Sequence, residues 1–181
     1  MTRGSTTGGA DQPKAPKPTG LPLPTREGAE VELERTVPAA ADRLHGRTRD
    51  RIRALDVLFE ADAKQAPVLD VLQERLRRTA AQTPLPERSR ALVELYAPHA
   101  TDIDEDLATH SRDWPLHRMP AVDRAILRLG AAEVLHGAAD GERGAIIGEY
   151  TKIAEVLSTD DSPRFVNGLL QRLVDVSGLL P

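Results

Sequence analysis

Pro120 to Leu135 reads PAVDRAILRLGAAEVL, and the spacing of its apolar residues decides the fold class. Val122, Ile126 and Leu129 recur at intervals of four and three, which is one stripe along an α-helix. Leu127, Val134 and Leu135 lie beside that stripe and widen it. A helix apolar around so much of its circumference has to be enclosed by other elements, so this segment is expected at the centre of the molecule. Pro120 suits its first turn, where a backbone N–H has no helical partner in any case.

Working outward from that centre, the same periodicity returns on both sides. Upstream, Ile52, Leu55, Leu58 and Phe59 form one stripe. Pro67 fits the start of a second helix with Leu69, Leu72 and Leu76 on one face. Pro84 and Pro86 interrupt the chain, and Leu92, Leu95, Tyr96, Ile103 and Leu107 then predict a long helical region. Pro98 should break or kink that region, because proline lacks the N–H donor and its ring collides with the preceding turn. Trp114-Pro115 marks a turn before the central helix. Downstream, Gly137 to Gly144 reads as a loop, and Ile146, Ile147, Ile153, Val156 and Leu157 predict another helix. A last helix follows Asp161-Ser162-Pro163, with Asp161 or Ser162 as its cap. Phe165, Leu169 and Leu173 should line its core face, flanked by Val166 and Leu170. No segment shows sustained two-residue alternation. The expectation is an all-α bundle of about six or seven helices.

Composition sets the limits of this bundle. The chain has 181 residues, of which 40% are apolar and only 3% aromatic, so Leu, Ala, Ile and Val must fill the core. Residues 1–42 read as a disordered tail: Pro13, Pro16, Pro18, Pro22 and Pro24 punctuate a stretch with too little apolar surface to offset its ordering entropy. The folded domain is expected over 43–181. The chain has no cysteine, which removes disulfides, thiolate metal sites and a Cys nucleophile. No apolar run reaches membrane-spanning length and no signal-peptide core is evident, so a cytoplasmic protein is expected.

Catalytic signatures are missing. There is no P-loop, dinucleotide-binding glycine motif or nucleophile elbow. His45, His99, His110, His117 and His136 do not recur at three- or four-residue spacing, so no metal is expected, and no cofactor. Asp104/Glu105 and Asp160/Asp161 are adjacent pairs that point apart on a helix. They suit solvated charges or helix caps better than a catalytic dyad, and the chain is not expected to be an enzyme.

The net charge of −4 hides an asymmetry. Arg43, Arg47, Arg49, Arg51 and Arg53 crowd the start of the folded region, opposed after Asp42 only by Asp50. Arg49 and Arg53 share one helical face, and Arg47 and Arg51 share another. Guanidinium groups bind phosphates in a forked geometry and stack on bases, so this segment is a candidate RNA-binding surface. The competing reading is a solvated helix face. Four arginines on single-stranded RNA predict a log–log salt slope near about −3.

Three stretches carry a family resemblance. They are Arg47–Asp62 (RTRDRIRALDVLFEAD), Trp114–Leu135 (WPLHRMPAVDRAILRLGAAEVL) and Leu157–Leu170 (LSTDDSPRFVNGLL). In this order and spacing they resemble the NusB family of antitermination factors over roughly Gly46 to Val176, and the composition and long tail look actinobacterial. The resemblance implies an all-α fold of two helical subdomains. It implies binding to the boxA element of ribosomal RNA leader transcripts, a heterodimer with NusE (a small-subunit ribosomal protein) and entry into RNA polymerase antitermination complexes. It places Arg47, Arg49, Arg51 and Arg53, with Asp161, Ser162, Phe165 and Asn167, at the RNA surface, and Asp123 and Arg128 at the surface facing NusE.

Each of these residues has a plainer reading. Phe165 would be core, Asn167 would satisfy an interhelical backbone group, and Arg128 would be a buried salt-bridge partner. Gly168 would allow helices to approach closely. The family also includes homodimers and the N-terminal part of RNA cytosine methyltransferases. The latter need a cofactor-binding sheet and cysteines, which this chain lacks. The chain departs from the family pattern at Gly148 and Glu155, where a polar residue and a lysine are usual. A divergent, homodimeric NusB-like protein-interaction module with weak or no RNA binding is therefore the alternative function.

Overall fold

The computed structural model describes Leu44 and residues 46–77, 84–111, 114–139 and 141–178. The tail expected over 1–42 lies outside the described residues. Among the described residues seven α-helices follow one another: α1 Gly46–Lys64, α2 Val68–Arg77, α3 Glu87–Tyr96, α4 Ala100–His110, α5 Ala121–Ala132, α6 Arg143–Leu157 and α7 Ser162–Ser177. No strand occurs among the described residues.

The breaks follow from local chemistry. Between α3 and α4, Pro98 sits in a 3₁₀ turn, Ala97–His99, so the expected interruption is one short turn. The Trp114-Pro115 turn leads into a second 3₁₀ turn, Leu116–Arg118. α1 closes on Gln65, which takes a left-handed φ of 52°. The Ala66 N–H then reaches the Ala61 carbonyl (3.0 Å) and the Gln65 N–H the Asp62 carbonyl (3.3 Å), which satisfies two end carbonyls of the helix. The loop expected from Gly137 is shorter than the sequence suggested: α5 runs on into a π-helical turn, Glu133–Gly137, and α6 already begins at Arg143.

α5 is the centre. Ala125, Ile126, Leu127, Leu129, Gly130, Ala131 and Ala132 are all buried, and α5 packs against α1, α3, α4, α6 and α7. α1 and α3 pack on α5 with α2 against both of them, and α4, α6 and α7 pack on α5 as a second group, in the two helical groupings expected. Gly130 makes the close approach: a methyl group there would lie 2.9 Å from Leu170 Cδ1 on α7 and 3.3 Å from Tyr150 Cγ on α6. That role had been assigned to Gly168, but a methyl group at Gly168 would meet nothing within 4 Å.

Three other expectations about the core are corrected. Phe59, Leu69 and Leu76 are exposed, at 42%, 45% and 39%. On α2 the inward residues are Val71 and Leu72. The physical reason is Arg75: its Nε donates to Glu60 Oε2 (2.6 Å) and its Nη2 to the Asp56 carbonyl (3.0 Å), both on α1, so the face that carries Arg75 turns inward. Leu69 and Leu76 then face solvent.

Candidate nucleic-acid interface

The four arginines of α1 do not form one surface. Arg47, Arg49 and Arg53 are exposed, whereas Arg51 is only 4% exposed. Its Nε and Nη2 donate to the two oxygens of Glu133 at 2.9 and 2.7 Å. Its guanidinium carbon lies 5.7 Å above the centre of the Tyr150 ring, and Glu149 approaches to 3.9 Å. Arg51 is therefore an internal cation, and its assignment to the RNA surface is corrected. Burial by itself would make Arg51 easier to deprotonate, but the Glu133 hydrogen bonds and charge outweigh it and raise the pKa above the usual arginine value. Glu133 also accepts from Arg88 Nη2 (3.2 Å) and from the Tyr150 hydroxyl (2.8 Å). Complete burial, followed by the Glu133 charge, holds that hydroxyl protonated, well above the ordinary tyrosine range. This network, buried at Arg51, Glu133 and Tyr150, ties α1 to α3, to α6 and to the π-helical turn that follows α5.

α6 links the two stretches that the sequence placed at the RNA surface. From α1, Thr48 donates its hydroxyl to Glu149 of α6. From α7, Asn167 Nδ2 donates to Thr151 Oγ1 of α6 at 3.2 Å. The arginine-rich end of α1 and the start of α7 thus flank one helix. Asn167 is exposed while making this contact, and its partner is a side-chain hydroxyl, not the interhelical backbone group expected.

The segment before α7 is built around Ser162. Asp161 is exposed and makes no capping hydrogen bond from its side chain. Ser162, at 1% exposure, donates its hydroxyl to Asp123 Oδ2 at 2.9 Å, with the Ser158 and Thr159 hydroxyls 3.0 and 2.8 Å away. Neither the capping role nor direct RNA contact fits Ser162, because its oxygen is enclosed and bonded. Asp123 is fully buried, and its Oδ1 has no protein partner. Its placement on a protein-facing surface is corrected for the same reason: it holds the α7 start against α5. Phe165 is partly buried, with its ring 5.4 Å from that of Trp114 at an angle of 56°.

Arg128 is partly buried, with its side chain 17% exposed, and is ion-paired within the fold. Its Nε and Nη2 grip Asp104 (2.8 and 2.7 Å) and its Nη1 reaches Asp62 (2.8 Å). Asp62 takes a second cation, Arg124, at 2.6 Å. Burial opposes both charges of the Arg128 pairs, but the hydrogen bonds prevail: Arg128 is raised and Asp62 is held below the usual carboxylate range. The salt-bridge reading of Arg128 is the one the geometry supports, with partners on α1 and α4.

Sequence reasoning missed one exposed feature. Phe59 lines a shallow depression with Leu55, Asp56, Val122, Ala125, Ile126 and Leu157, apolar except for Asp56. Phe59 shares a helical stripe with core residues, so spacing could not separate it from them.

Comparison with known proteins agrees with this architecture. The NusB family model matches residues 48–175. The transcription antitermination protein NusB of Kineococcus radiotolerans is 48% identical over 134 residues, covering 74% of this chain and 96% of that protein. The protein of the same name from Streptomyces coelicolor is 45% identical over 133 residues, 72% of this chain and 93% of its own. Among solved structures, T. maritima NusB superposes with a TM-score of 0.60 at 26% identity, covering 75% of this chain and 99% of that one. A chain from the complex of antitermination factors NusB and NusE with dsRNA shares the fold with a TM-score of 0.59 at 23% identity, covering 73% and 99%. A helical bundle centred on α5, a family match across that whole bundle and relatives nearly half identical over almost their full length together make this chain a member of the NusB family.

Proposed function

We propose that this chain is a transcription antitermination factor that binds boxA RNA of ribosomal leader transcripts together with NusE and joins RNA polymerase antitermination complexes. The observation that carries the RNA reading is the exposed arginine set Arg47, Arg49 and Arg53 at one end of α1, beside a helix that also receives Asn167. Forked guanidinium groups suit phosphates, and three of them on single-stranded RNA give a log–log salt slope of about −2. In this reading Asn167, which is exposed, and Phe165, which is partly buried, are the base contacts, and Asp161 lies at the same end of α7. Relatives nearly half identical are named transcription antitermination proteins, and a protein of this fold has been solved with NusE and RNA. The role is one of binding, without a catalytic step, and is exercised in the cytoplasm. No helix among the described residues is long and apolar enough to cross a membrane.

The Phe59 depression is the proposed seat of the protein partner, since an exposed aromatic in an apolar hollow is a favourable anchor. The same depression favours a second reading, a self-associating NusB-like module with weak RNA binding. The deciding experiment is a titration of boxA-like RNA and a scrambled control, with and without the organism's own NusE, at two salt concentrations. Selective, salt-sensitive binding strengthened by NusE supports the antitermination role. Absence of RNA binding under every condition overturns it and leaves the interaction module.

A further inference from the structure

α2 packs on α1 and α3 and turns Val71, Leu72 and Arg75 inward. The opposite face of the helix centres on Gln73, which is exposed. Leu69 and Leu76, four residues before Gln73 and three after it, run along one edge of that face and are 45% and 39% exposed. Asp70 and Arg77, three residues before Gln73 and four after it, run along the other edge and are exposed as well. Neither charge has a side-chain partner among the described residues. One exposed leucine on a protein surface is ordinary. Here two leucines and two unpaired charges of opposite sign repeat at the same spacing, about 10 Å along the helix, around one central residue.

We propose that this face of α2 docks on the same face of a second copy of this chain, the two helices lying antiparallel about a two-fold axis beside Gln73. In such a contact residue i meets j and j meets i. Reversing α2 about an axis at Gln73 exchanges its ends and keeps its edges in place. Leu69 therefore meets Leu76 of the second copy, and Asp70 meets Arg77 of the second copy, each twice per dimer. The two Gln73 carboxamides come together at the axis, where each offers both a donor and an acceptor. The pattern also selects the direction, because a parallel pairing would set the leucine edge of one copy against the charged edge of the other and desolvate charges without partners. α2 has 10 residues and is about 15 Å long, so the contact belongs with small interfaces, below about 1,200 Å², and the association is weak and reversible. None of these five residues belongs to the arginine set of α1 or lines the Phe59 depression, so the pairing does not rest on the antitermination reading and uses a different surface from the depression.

The test is analytical ultracentrifugation of the full chain from low micromolar to near-millimolar concentration, at low and at high salt. The parent should pass from monomer to dimer as concentration rises, and less readily at high salt because the two ion pairs are exposed. Asp70→Arg puts two cations on the charged edge and Arg77→Asp puts two carboxylates there. Each variant alone should dimerise about tenfold more weakly than the parent, and a mixture of the two should associate again, because their edges are complementary. Asp70→Arg with Arg77→Asp in one chain should restore self-association. Leu69→Ser with Leu76→Ser should remove the dimer at both salt concentrations. The substituted positions are all exposed, so melting temperatures should stay close to that of the parent and separate lost pairing from lost fold. A parent that is monomeric throughout overturns the pairing. A dimer that the α2 variants leave unchanged overturns it too, and if Phe59→Ser abolishes that dimer, the copies meet at the Phe59 depression instead.

Discussion

Arg51 and Glu133 meet as a two-pronged ion pair across 82 residues of sequence, Nε to Oε2 at 2.9 Å and Nη2 to Oε1 at 2.7 Å. Their side chains are 5% and 6% exposed. One arginine of a run that looks uniformly basic is therefore a structural cation, and its neighbours at 47, 49 and 53 are left for a ligand.

That division predicts a crossed pair of phenotypes. Arg51→Met leaves Glu133 buried with one cation fewer and should cost about 3–5 kcal/mol of stability. It should not change the salt slope of RNA binding by the molecules that remain folded. Arg49→Ala should do the reverse, lowering the slope while moving the unfolding midpoint by less than about 0.5 kcal/mol. Chemical denaturation and salt-dependent titration of both variants check it, and a loss of slope in Arg51→Met would return that residue to the RNA surface.

Two glycines should respond oppositely to alanine. Gly130→Ala drives a methyl group to 2.9 Å from Leu170 Cδ1 with the Tyr150 ring behind it, an overpacking that should cost about 1–3 kcal/mol. Gly148→Ala enters open space inside α6 and should stabilise by about 0.5–1 kcal/mol through helix propensity. Melting temperatures measured side by side should shift in opposite directions.

Acid should act in two separate windows. The rings of His99 and His136 stack at 3.6 Å, within 6° of parallel. Partial burial, and then the neighbouring His99, depress the His136 pKa below 6.5, partly offset by Asp102 and Asp106. A depressed folded pKa means that the stabilisation is present above the unfolded value and is lost as pH falls through the folded one. Stability should therefore decline as pH drops below about 6.5, and His136→Gln should flatten that decline. Asp62, lowered by Arg124 and Arg128 against its burial, keeps its contribution until pH falls below about 3.9. Thermal unfolding from pH 8 to 3 for parent, His136→Gln and Asp62→Asn separates the two, and an unaltered profile in His136→Gln would remove the histidine stack as its cause.

Phe59 offers a test of the partner surface that stability does not confound. At 42% exposure, Phe59→Ser should shift the melting temperature little yet weaken association with NusE by tenfold or more, about 1.4 kcal/mol, if it is an anchor. Calorimetric titration of the two proteins measures it. Parental affinity would move the interface away from the depression.

Ser162→Ala removes the one hydrogen bond that the buried carboxylate of Asp123 receives among the described residues and should cost about 1–3 kcal/mol. Asp123→Asn in the same background should restore part of that loss by neutralising the stranded charge. No recovery in the double variant would show that the hydroxyl, and not the charge, carries the latch.

Sequence alone determined the class of the fold and its punctuation. Val122, Ile126 and Leu129 declared a helix, and Leu127, Val134 and Leu135 made it central, because a stripe that wide must be enclosed. Pro98 and the Asp161-Ser162-Pro163 run located two helix boundaries, because both act within a turn of their own position. The tertiary structure decided which side of each helix was which. Phe59 shares a stripe with Leu55 and Leu58 and still faces out; Leu69 and Leu76 do so because Arg75 claims the inward face of α2. Arg51 differs from Arg49 and Arg53 only in having Glu133 and Tyr150 opposite it. Gly130 and Gly168 look alike in sequence, and only the first has Leu170 against it. Periodicity states which residues share a face, since that is a property of one helix. What a face meets depends on residues tens of positions away, and the destination of a charge or a glycine is set by that partner.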